Sequence, residues 1–243
     1  MLKEYVVIDL EMTGLNVKTD RILELGAARV RDNAVTETFS AVINPKVQLS
    51  EKIVQLTGIT NEMAEAGKDY DSTIKEFLDF LGDDILAGQN IMFDYSFLKQ
   101  WAVNHNLSFE KKAVDTLKLA RKFLPEEQKK DLASLCVYFG IARKNAHRAL
   151  DDVLETQKIL EQLKLFYGEA EPDAFTPGQL QDRVKKQTPA TPQQMKYLQR
   201  FCEYHKISMP ELKEGVTRGE VSRLTDRLIT QYGKIKQEQP TEF

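Results

Sequence analysis

The residues whose spacing first suggests chemistry are Asp9 and Glu11, in the segment YVVIDLEMTGL at residues 5–15. They follow an apolar run typical of a buried strand. Because side chains alternate along a strand, both carboxylates point to the same face. Two such carboxylates repel each other and lose hydration, and a divalent cation relieves both costs. The pair therefore predicts a metal site, although an exposed strand end would also explain it.

A second segment, NIMFD at residues 90–94, follows a short apolar strand pattern. It carries Asn90 and Asp94. An ordinary helix start accounts for both residues, because Asn caps helices and Asp is favoured in the first turn. Taken alone, this segment needs no function.

A third segment, HRALDD at residues 147–152, enters a long helical pattern. His147 precedes Asp152 by five residues, a spacing that lets a loop histidine lie near a carboxylate on the following helix. The chain has three histidines. The other two, His105 and His205, stand in polar helix-end contexts typical of surface residues, so His147 is the candidate base.

Thr13, Gly14 and Leu15 come directly after the paired carboxylates. A turn glycine lets a ligand approach backbone N–H groups closely. A plain turn explains the three residues equally well.

Together these segments supply four carboxylates at strand or helix ends and one histidine. Their order and contexts over about residues 4–166 resemble the DEDDh 3′–5′ exonucleases of the ribonuclease H-like superfamily. The matching motifs are DLEMTGL at residues 9–15, NIMFD at residues 90–94 and HRALDD at residues 147–152.

Two details narrow the resemblance. The sister group has tyrosine four residues before the final aspartate, where this chain has Arg148, so the histidine type is indicated. INP at residues 43–45, LTGIT at residues 56–60 and DTL at residues 115–117 are similar to proofreading (epsilon) subunits of bacterial replicative polymerases. Many epsilon-type members have histidine before the motif asparagine. This chain has Gln89 there, a departure that concerns a substrate contact and not the metal site.

The resemblance implies hydrolysis of the 3′-terminal phosphodiester with two divalent ions, Mg²⁺ or Mn²⁺, as cofactors. The ions would lie about 3.5–4 Å apart. Asp9 would bridge them, Glu11 and Asp152 would serve the ion that activates water, and Asp94 would serve the other. His147 would take the proton of the water. The products would be nucleoside 5′-monophosphates.

The same resemblance implies that the turn of residues 13–15 holds the terminal nucleotide, with Leu15 packing against its base. Asn90 would orient backbone or substrate. Asp151 is interpreted as a solvated helix residue, because the motif spacing selects Asp152.

The leading prediction is an exonuclease acting on single-stranded DNA or frayed DNA 3′ ends. The wording of DLEMTGL is also similar to oligoribonucleases, so an exoribonuclease of the oligoribonuclease or RNase T kind is an alternative. A catalytically silent nucleic-acid-binding or polymerase-tethering module is a third reading, which the complete set of five residues argues against. The sequence leaves open the oligomeric state and whether the enzyme works alone or with a DNA polymerase.

The bulk properties predict neither a polycation nor a membrane-spanning helix. The 243 residues carry a net charge of −3. This divides into 22 basic and 28 acidic side chains over residues 1–172 and 12 and 9 over residues 173–243. The two cysteines have no metal-ligand spacing, and no apolar stretch approaches the roughly 18 residues of a membrane span. The first residues run straight into a strand and predict no signal peptide, so we expect a cytoplasmic protein with no membrane partner.

The elements that must position the site follow an α/β pattern. We predict a ribonuclease H-like mixed sheet, three antiparallel strands and then parallel additions, flanked by helices. Predicted strands cover residues 4–10, 21–31, 36–43, 84–88 and 113–115. Predicted helices cover residues 51–56, 72–81, 91–103, 116–123, 131–139, 148–166, 193–206 and 218–232, with Thr60 and Ser72 as candidate caps.

The chain is predicted to have three parts. Residues 1–167 form the exonuclease domain, and residues 168–192 hold four of the eight prolines and predict a linker. Residues 193–243 form a small all-α module, with capping boxes starting at Thr191 and Thr217. Its arginines and lysines either form a basic face for nucleic acid or are ordinary solvated helix faces.

Overall fold

The structure is a computed structural model that describes residues 2–143, 147–212 and 216–235. The chain divides into two units, Met1–Val184 and Lys185–Phe243. The described strands are β1 (Tyr5–Met12), β2 (Ile22–Arg31), β3 (Ala34–Val42), β4 (Leu86–Gly88), β5 (Lys112–Asp115) and β6 (Gly178–Gln179).

All six described strands form one sheet in the order β3-β2-β1-β4-β5-β6. The first three strands pair antiparallel, β4 and β5 add in parallel to β1, and β6 returns antiparallel to β5. The predicted α/β mixed sheet is confirmed. The sixth strand was not predicted, because two residues in a proline-rich segment carry no strand pattern.

Helices cover both faces of this sheet. In the first unit they are α1 (Glu51–Thr57), α2 (Asn61–Glu65), α3 (Tyr70–Leu81), α4 (Met92–Asn104), α5 (Thr116–Phe123), α6 (Leu132–Tyr138) and α7 (Ala149–Tyr167). The cap predicted at Thr60 is confirmed, since its side chain accepts a hydrogen bond from the Met63 N–H. The cap predicted at Ser72 is wrong. Asp69 caps α3 and accepts from the backbone N–H of Ser72.

The alternation of β1 separates two cores. Val6, Ile8 and Leu10 face a core that includes side chains of α3 and α4. Tyr5 and Val7 face a second core that includes the apolar side of α7. Because Asp9 and Glu11 continue the face of Tyr5 and Val7, they lie on the side of the sheet that α7 covers.

The segment predicted as a linker, residues 168–192, differs from the structure in its first half. A 3-10 helix covers Pro172–Phe175, and Phe175 is 2% exposed in the α7 core. Leu180, which follows β6, is also buried. Residues 168–184 therefore belong to the first unit, because they complete its sheet and cover its cores.

The second unit contains α8 (Pro192–His205) and α9 (Arg218–Tyr232). Both predicted capping boxes are present, at Thr191 with Gln194 and at Thr217 with Glu220. The predicted module also includes residues 213–215 and 236–243, which lie outside the described residues. In the described ranges of either unit, no helix has both the length and the apolar character needed to cross a membrane.

Candidate active site

The paired carboxylates of β1 lie side by side, as their spacing predicted. Glu11 is buried and Asp9 is partly buried. In the antiparallel ladder with β2, Asp9 is opposite Gly26 and Glu11 is opposite Glu24. This end of β1 therefore holds two carboxylates, and the neighbouring strand adds a third next to Glu11.

Asp94 reaches the same strand end from α4. It lies in the first turn of that helix, and its Oδ1 accepts a hydrogen bond from the Leu10 N–H at 3.0 Å. Because Leu10 lies between Asp9 and Glu11, this bond fixes the Asp94 carboxylate against the pair.

Asn90 is not the helix cap that an ordinary helix start would require. The N-cap of α4 is Ile91, which makes no side-chain cap bond. Asn90 is exposed, has a φ of 59°, and its backbone N–H donates to Asp115 Oδ1 at 3.0 Å. A left-handed asparagine held in this way presents its side chain at the surface near the start of α4.

Asp152 arrives on α7, and the approach of that helix depends on a glycine. A Cβ built on Gly26 would lie 2.5 Å from the Ala149 carbonyl carbon. Ala149 is fully buried and begins α7. The small residue at each position lets the helix start pack on β2, which brings Asp152 over Asp9 and Glu11.

His147 joins this cluster from the loop before α7. Ligand atoms of Glu11, His147 and Asp152 all lie within 4.8 Å of one another. His147 is exposed and has a φ of 59°. Left-handed backbone at a residue other than glycine is uncommon and concentrates at functional sites.

Burial and mutual repulsion act strongly on the carboxylates. Burial, followed by the charges of Asp94, Glu11 and Asp152, raises the pKa of Asp9 well above its usual value. Burial and the neighbouring carboxylates raise the pKa of Glu11 to about 8. Burial raises the pKa of Asp94 to about 7, although its bond from Leu10 opposes the shift.

This donor set fits a divalent metal ion. Oxygen ligands are those that Mg²⁺ and Mn²⁺ prefer, and a cation would relieve the repulsion that raises these pKa values. Asp9, Glu11 and Asp94 make no ion pair within the part of the chain that the structure describes. A bound divalent ion would therefore stabilise the ionised forms of these three groups.

Glu24 is a residue of this site that the sequence reasoning missed. It is 1% exposed, forms an ion pair with Arg148 at 2.9 Å and accepts a hydrogen bond from the Ala149 N–H at 3.1 Å. It therefore ties the start of α7 to β2. A signal was available, because a charged residue inside the apolar run RILELGAARV must find a partner when buried.

Arg143 and Glu155 were also missed. Arg143 Nη2 donates to Asp152 Oδ1 at 2.6 Å, and its Nε donates to Glu155 Oε2 at 2.7 Å. Arg143 is four residues before His147 and lies in no recognisable motif. Nothing in the sequence indicated this contact.

The predicted nucleotide-holding turn is a closed loop. The Thr13 N–H donates to the Arg21 carbonyl oxygen at 2.8 Å, and the Thr13 hydroxyl accepts from the Arg21 N–H at 2.9 Å. A Cβ added at Gly14 would overlap the carboxylate of Asp20, which would have to move and give up its bond from the Asn16 N–H. Leu15 is 82% exposed. The glycine thus serves close packing within the loop, and the leucine is left free at its tip.

Gln89 has a structural role. Its side chain donates to the Lys130 carbonyl oxygen at 2.7 Å and accepts from the Thr116 hydroxyl at 2.5 Å. These bonds join the end of β4 to the loop before α6. The departure from the family pattern at this position therefore leaves the carboxylate cluster intact.

Most of the chain is similar in sequence to known exonucleases and to polymerase subunits. The RNase_T family model, described as exonuclease, matches residues 6–160. The DNA polymerase III subunit epsilon of Aquifex aeolicus is 37% identical over 169 residues, which cover 68% of this chain and 84% of that protein.

PolC-type DNA polymerases III are also similar. The protein of Clostridium perfringens is 35% identical over 158 residues, covering 65% of this chain and 11% of its own length. The protein of Bacillus subtilis is 39% identical over 170 residues, covering 69% and 12%. The chain thus spans about a tenth of the length of these polymerases.

Solved structures share the fold. The nuclease domain of 3'hExo, a DEDDh family member bound to rAMP, has a TM-score of 0.60 at 20% identity, covering 74% of this chain and 98% of that domain. Exonuclease I of E. coli in complex with a dT13 oligonucleotide has a TM-score of 0.60 at 21% identity, covering 72% and 44%.

Proposed function

The chain belongs to the RNase_T family of exonucleases and is a 3′–5′ exonuclease of the DEDDh type, and from this premise we propose that it removes nucleotides from the 3′ ends of single-stranded or frayed DNA. The observation that carries the proposal is the convergence of Asp9, Glu11, Asp94 and Asp152 with His147 at one strand end. The products are nucleoside 5′-monophosphates.

The four carboxylates would hold the divalent ions, Mg²⁺ or Mn²⁺. When bound, such ions supply an activated water and charge stabilisation at the leaving oxygen. The fixed bond from the Leu10 N–H holds Asp94 in place, and the Gly26 packing holds Asp152 in place. Both arrangements reduce the reorganisation that a charged transition state requires.

His147 acts as the general base. It is exposed, and its ring lies within reach of Glu11 and Asp152. A base at this position accepts the proton of a water held among the carboxylates and returns it to solvent. The left-handed backbone of His147 directs the ring from a loop onto the cluster.

The terminal nucleotide occupies the turn of residues 13–15, and Asn90 orients backbone or substrate. The exposed Leu15 side chain offers an apolar surface for a base, and the Thr13 and Gly14 backbone forms a closed loop beneath it. Packing of a base against an aliphatic side chain uses no base-edge hydrogen bond and therefore tolerates any sequence, as an exonuclease requires.

DNA is the proposed substrate because the relatives of higher identity are named DNA polymerase III epsilon and PolC-type DNA polymerase III. Proofreading or repair of 3′ ends, in association with a replicative polymerase, is part of the same proposal. Gel filtration of the chain mixed with the polymerase subunit of its own organism tests the association. Separate elution at micromolar concentrations of both proteins would exclude a stable complex.

The decisive experiment follows the shortening of 5′-labelled DNA and RNA oligomers of the same sequence, and of DNA that ends in one ribonucleotide. The unlabelled mononucleotides that are released are identified by chromatography. Reactions contain Mg²⁺, Mn²⁺ or chelator. We expect stepwise shortening of DNA from its 3′ end, release of 5′-monophosphates and no reaction with chelator. Faster hydrolysis of RNA than of DNA would reassign the enzyme to the exoribonucleases.

Two adjacent aspartates provide a matched pair of variants. Asp152→Asn removes a proposed ligand, whereas Asp151→Asn changes the neighbouring residue that the motif does not select. We expect loss of hydrolysis in the first variant and near wild-type hydrolysis in the second. Equal activity in both variants would contradict the assigned site.

A further inference from the structure

Arg143 joins the carboxylate cluster to a residue outside it. Its guanidinium donates from Nη2 to Asp152 Oδ1 at 2.6 Å and from Nε to Glu155 Oε2 at 2.7 Å. Asp152 and Glu155 are three residues apart on α7, so they lie on one face of the helix. One side chain thus bridges two buried carboxylates by two different nitrogens.

The two hydrogen bonds of Arg143 differ in whether their acceptor belongs to the candidate metal site. Asp152 belongs to the group whose ligand atoms converge with those of Glu11 and His147. Glu155 is absent from that group and is 3% exposed, with Cys136 Sγ at 3.7 Å from its Oε2. A buried carboxylate requires a charged or hydrogen-bonding partner, and Arg143 is the cation that contacts Glu155 within the described residues.

A divalent ion bound to Asp152 competes with the guanidinium for the same oxygen. Both are cations, and their proximity across one carboxylate is repulsive. Metal binding therefore weakens the Arg143 contact with Asp152 and leaves the Arg143 contact with Glu155.

We propose that Arg143 is a metal-responsive positioning residue that neutralises Asp152 in the metal-free enzyme and yields this carboxylate to the ion, while Glu155 retains the guanidinium beside the site. Arg143 itself lies four residues before His147, the proposed base. The inference rests on the proposed function, since it requires that Asp152 bind metal.

Thermodynamic linkage makes the proposal measurable without hydrolysis. A residue that stabilises the metal-free state more than the metal-bound state lowers metal affinity. Removing the guanidinium should thus destabilise the protein in chelator, destabilise it less with metal, and tighten metal binding by the corresponding factor.

The test uses the full chain as wild type and as Arg143→Gln, Arg143→Lys and Arg121→Gln. Arg121 is an exposed arginine on α5 and serves as the matched control. Melting temperatures are measured in chelator and in saturating Mn²⁺, and the Mn²⁺ dissociation constant is measured by electron paramagnetic resonance. Lysine retains the charge but cannot bridge two carboxylates with separate fixed donors.

We expect Arg143→Gln to melt several degrees below wild type in chelator, with less than half of that difference in Mn²⁺. We expect its Mn²⁺ dissociation constant to fall by a factor between about 3 and 30, the range for a coupling of roughly 0.7 to 2 kcal/mol. Arg143→Lys should show a smaller change in the same direction, and it carries the test if the glutamine variant does not fold. Arg121→Gln should match wild type.

Three results would overturn the inference. Equal loss of melting temperature with and without Mn²⁺ would assign Arg143 a purely structural role, as would unchanged or weaker Mn²⁺ binding in Arg143→Gln. Failure of wild type to bind Mn²⁺ would overturn both this inference and the proposed metal site. Mn²⁺ binding by wild type without hydrolysis of DNA or RNA would overturn the proposed function alone.

Discussion

Gly26 of β2 lies directly against Ala149, the first residue of α7. A Cβ added to Gly26 would stand 2.5 Å from the Ala149 carbonyl carbon and 2.6 Å from its carbonyl oxygen. Atoms this close cannot coexist. The start of α7 therefore packs against β2 only because residue 26 has no side chain. Asp152 follows one turn later, and its position over β1 depends on this contact.

Substitution of Gly26 should therefore affect both stability and hydrolysis. Gly26→Ala forces α7 and β2 apart, and overpacking of this kind costs about 1–3 kcal/mol of unfolding free energy. Hydrolysis should fall as well, because Asp152 moves with the helix. Denaturant unfolding and initial rates measure the two effects.

Gly178→Ala is the matched control for this substitution. An added Cβ at Gly178 meets no atom within 4 Å, and its φ is not in the left-handed region. Alanine there should leave stability and rate nearly unchanged. Wild-type stability and rate in Gly26→Ala would contradict the proposed role of the contact.

The close approach of Gly26 and Ala149 marks the limit of what the sequence could predict. The strand, turn and helix patterns are local, and they located Asp9, Glu11, Asp94, His147 and Asp152 with their elements. The resemblance to DEDDh exonucleases then supplied their common location. No local pattern reports that a glycine in one strand meets a particular helix start.

Most of the features that the sequence did not predict also arise from tertiary contacts. β6 is two residues long and forms because β5 offers an open edge for hydrogen bonding. Its formation depends on tertiary structure and not on local strand propensity. Arg143 contacts Asp152 and Glu155, which are 9 and 12 residues away along the chain, and no local pattern reports such a contact. Glu24 alone carried a local signal, as a charge within an apolar strand.

His147→Ala should lower the hydrolysis rate by roughly 10²–10⁴-fold, as loss of a general base does. The fold should be retained, because His147 is exposed. Single-turnover rates and the circular dichroism spectrum test the two statements. His105→Ala, at an exposed histidine on the α4 end, is the control and should retain full activity. Full activity in His147→Ala would remove the residue from the mechanism.

The metal-free protein should lose stability as the pH rises from about 5 to about 8. Burial first, and then the charges of Asp152 and Glu24, raise the pKa of Glu11 from 4.5 to about 8. Between these values the unfolded chain ionises at Glu11 while the folded chain keeps its proton, so rising pH favours unfolding. Urea unfolding in chelator at pH 5.5 and pH 8 measures this change.

Glu11→Gln isolates the contribution of that carboxyl group, because glutamine does not titrate. The variant should lose less stability than wild type between the two pH values. An identical pH dependence in the two proteins would show that Glu11 ionises normally in the folded state.

Truncation should distinguish residues 168–184 from the second unit. A chain that ends at Val184 keeps the 3-10 helix, β6 and the buried Phe175 and Leu180. A chain that ends at Tyr167 loses both apolar side chains from the core, each worth about 1.5–3 kcal/mol. We expect cooperative melting of the longer fragment. The shorter one should melt about 6–24 degrees lower, from a loss of about 3–6 kcal/mol. Equal stability of the two fragments would contradict the assignment of this segment to the first unit.

The double contact between Thr13 and Arg21 has a consequence for how a nucleotide would bind. A loop whose ends are already joined has lost most of its backbone conformational entropy before any ligand arrives. Nucleotide binding therefore carries little entropic cost for ordering this loop. The rotamers of Leu15 remain as the main freedom to be lost. Binding at this turn should therefore need no slow ordering step, which suits an enzyme that must accept one nucleotide after another at the same place.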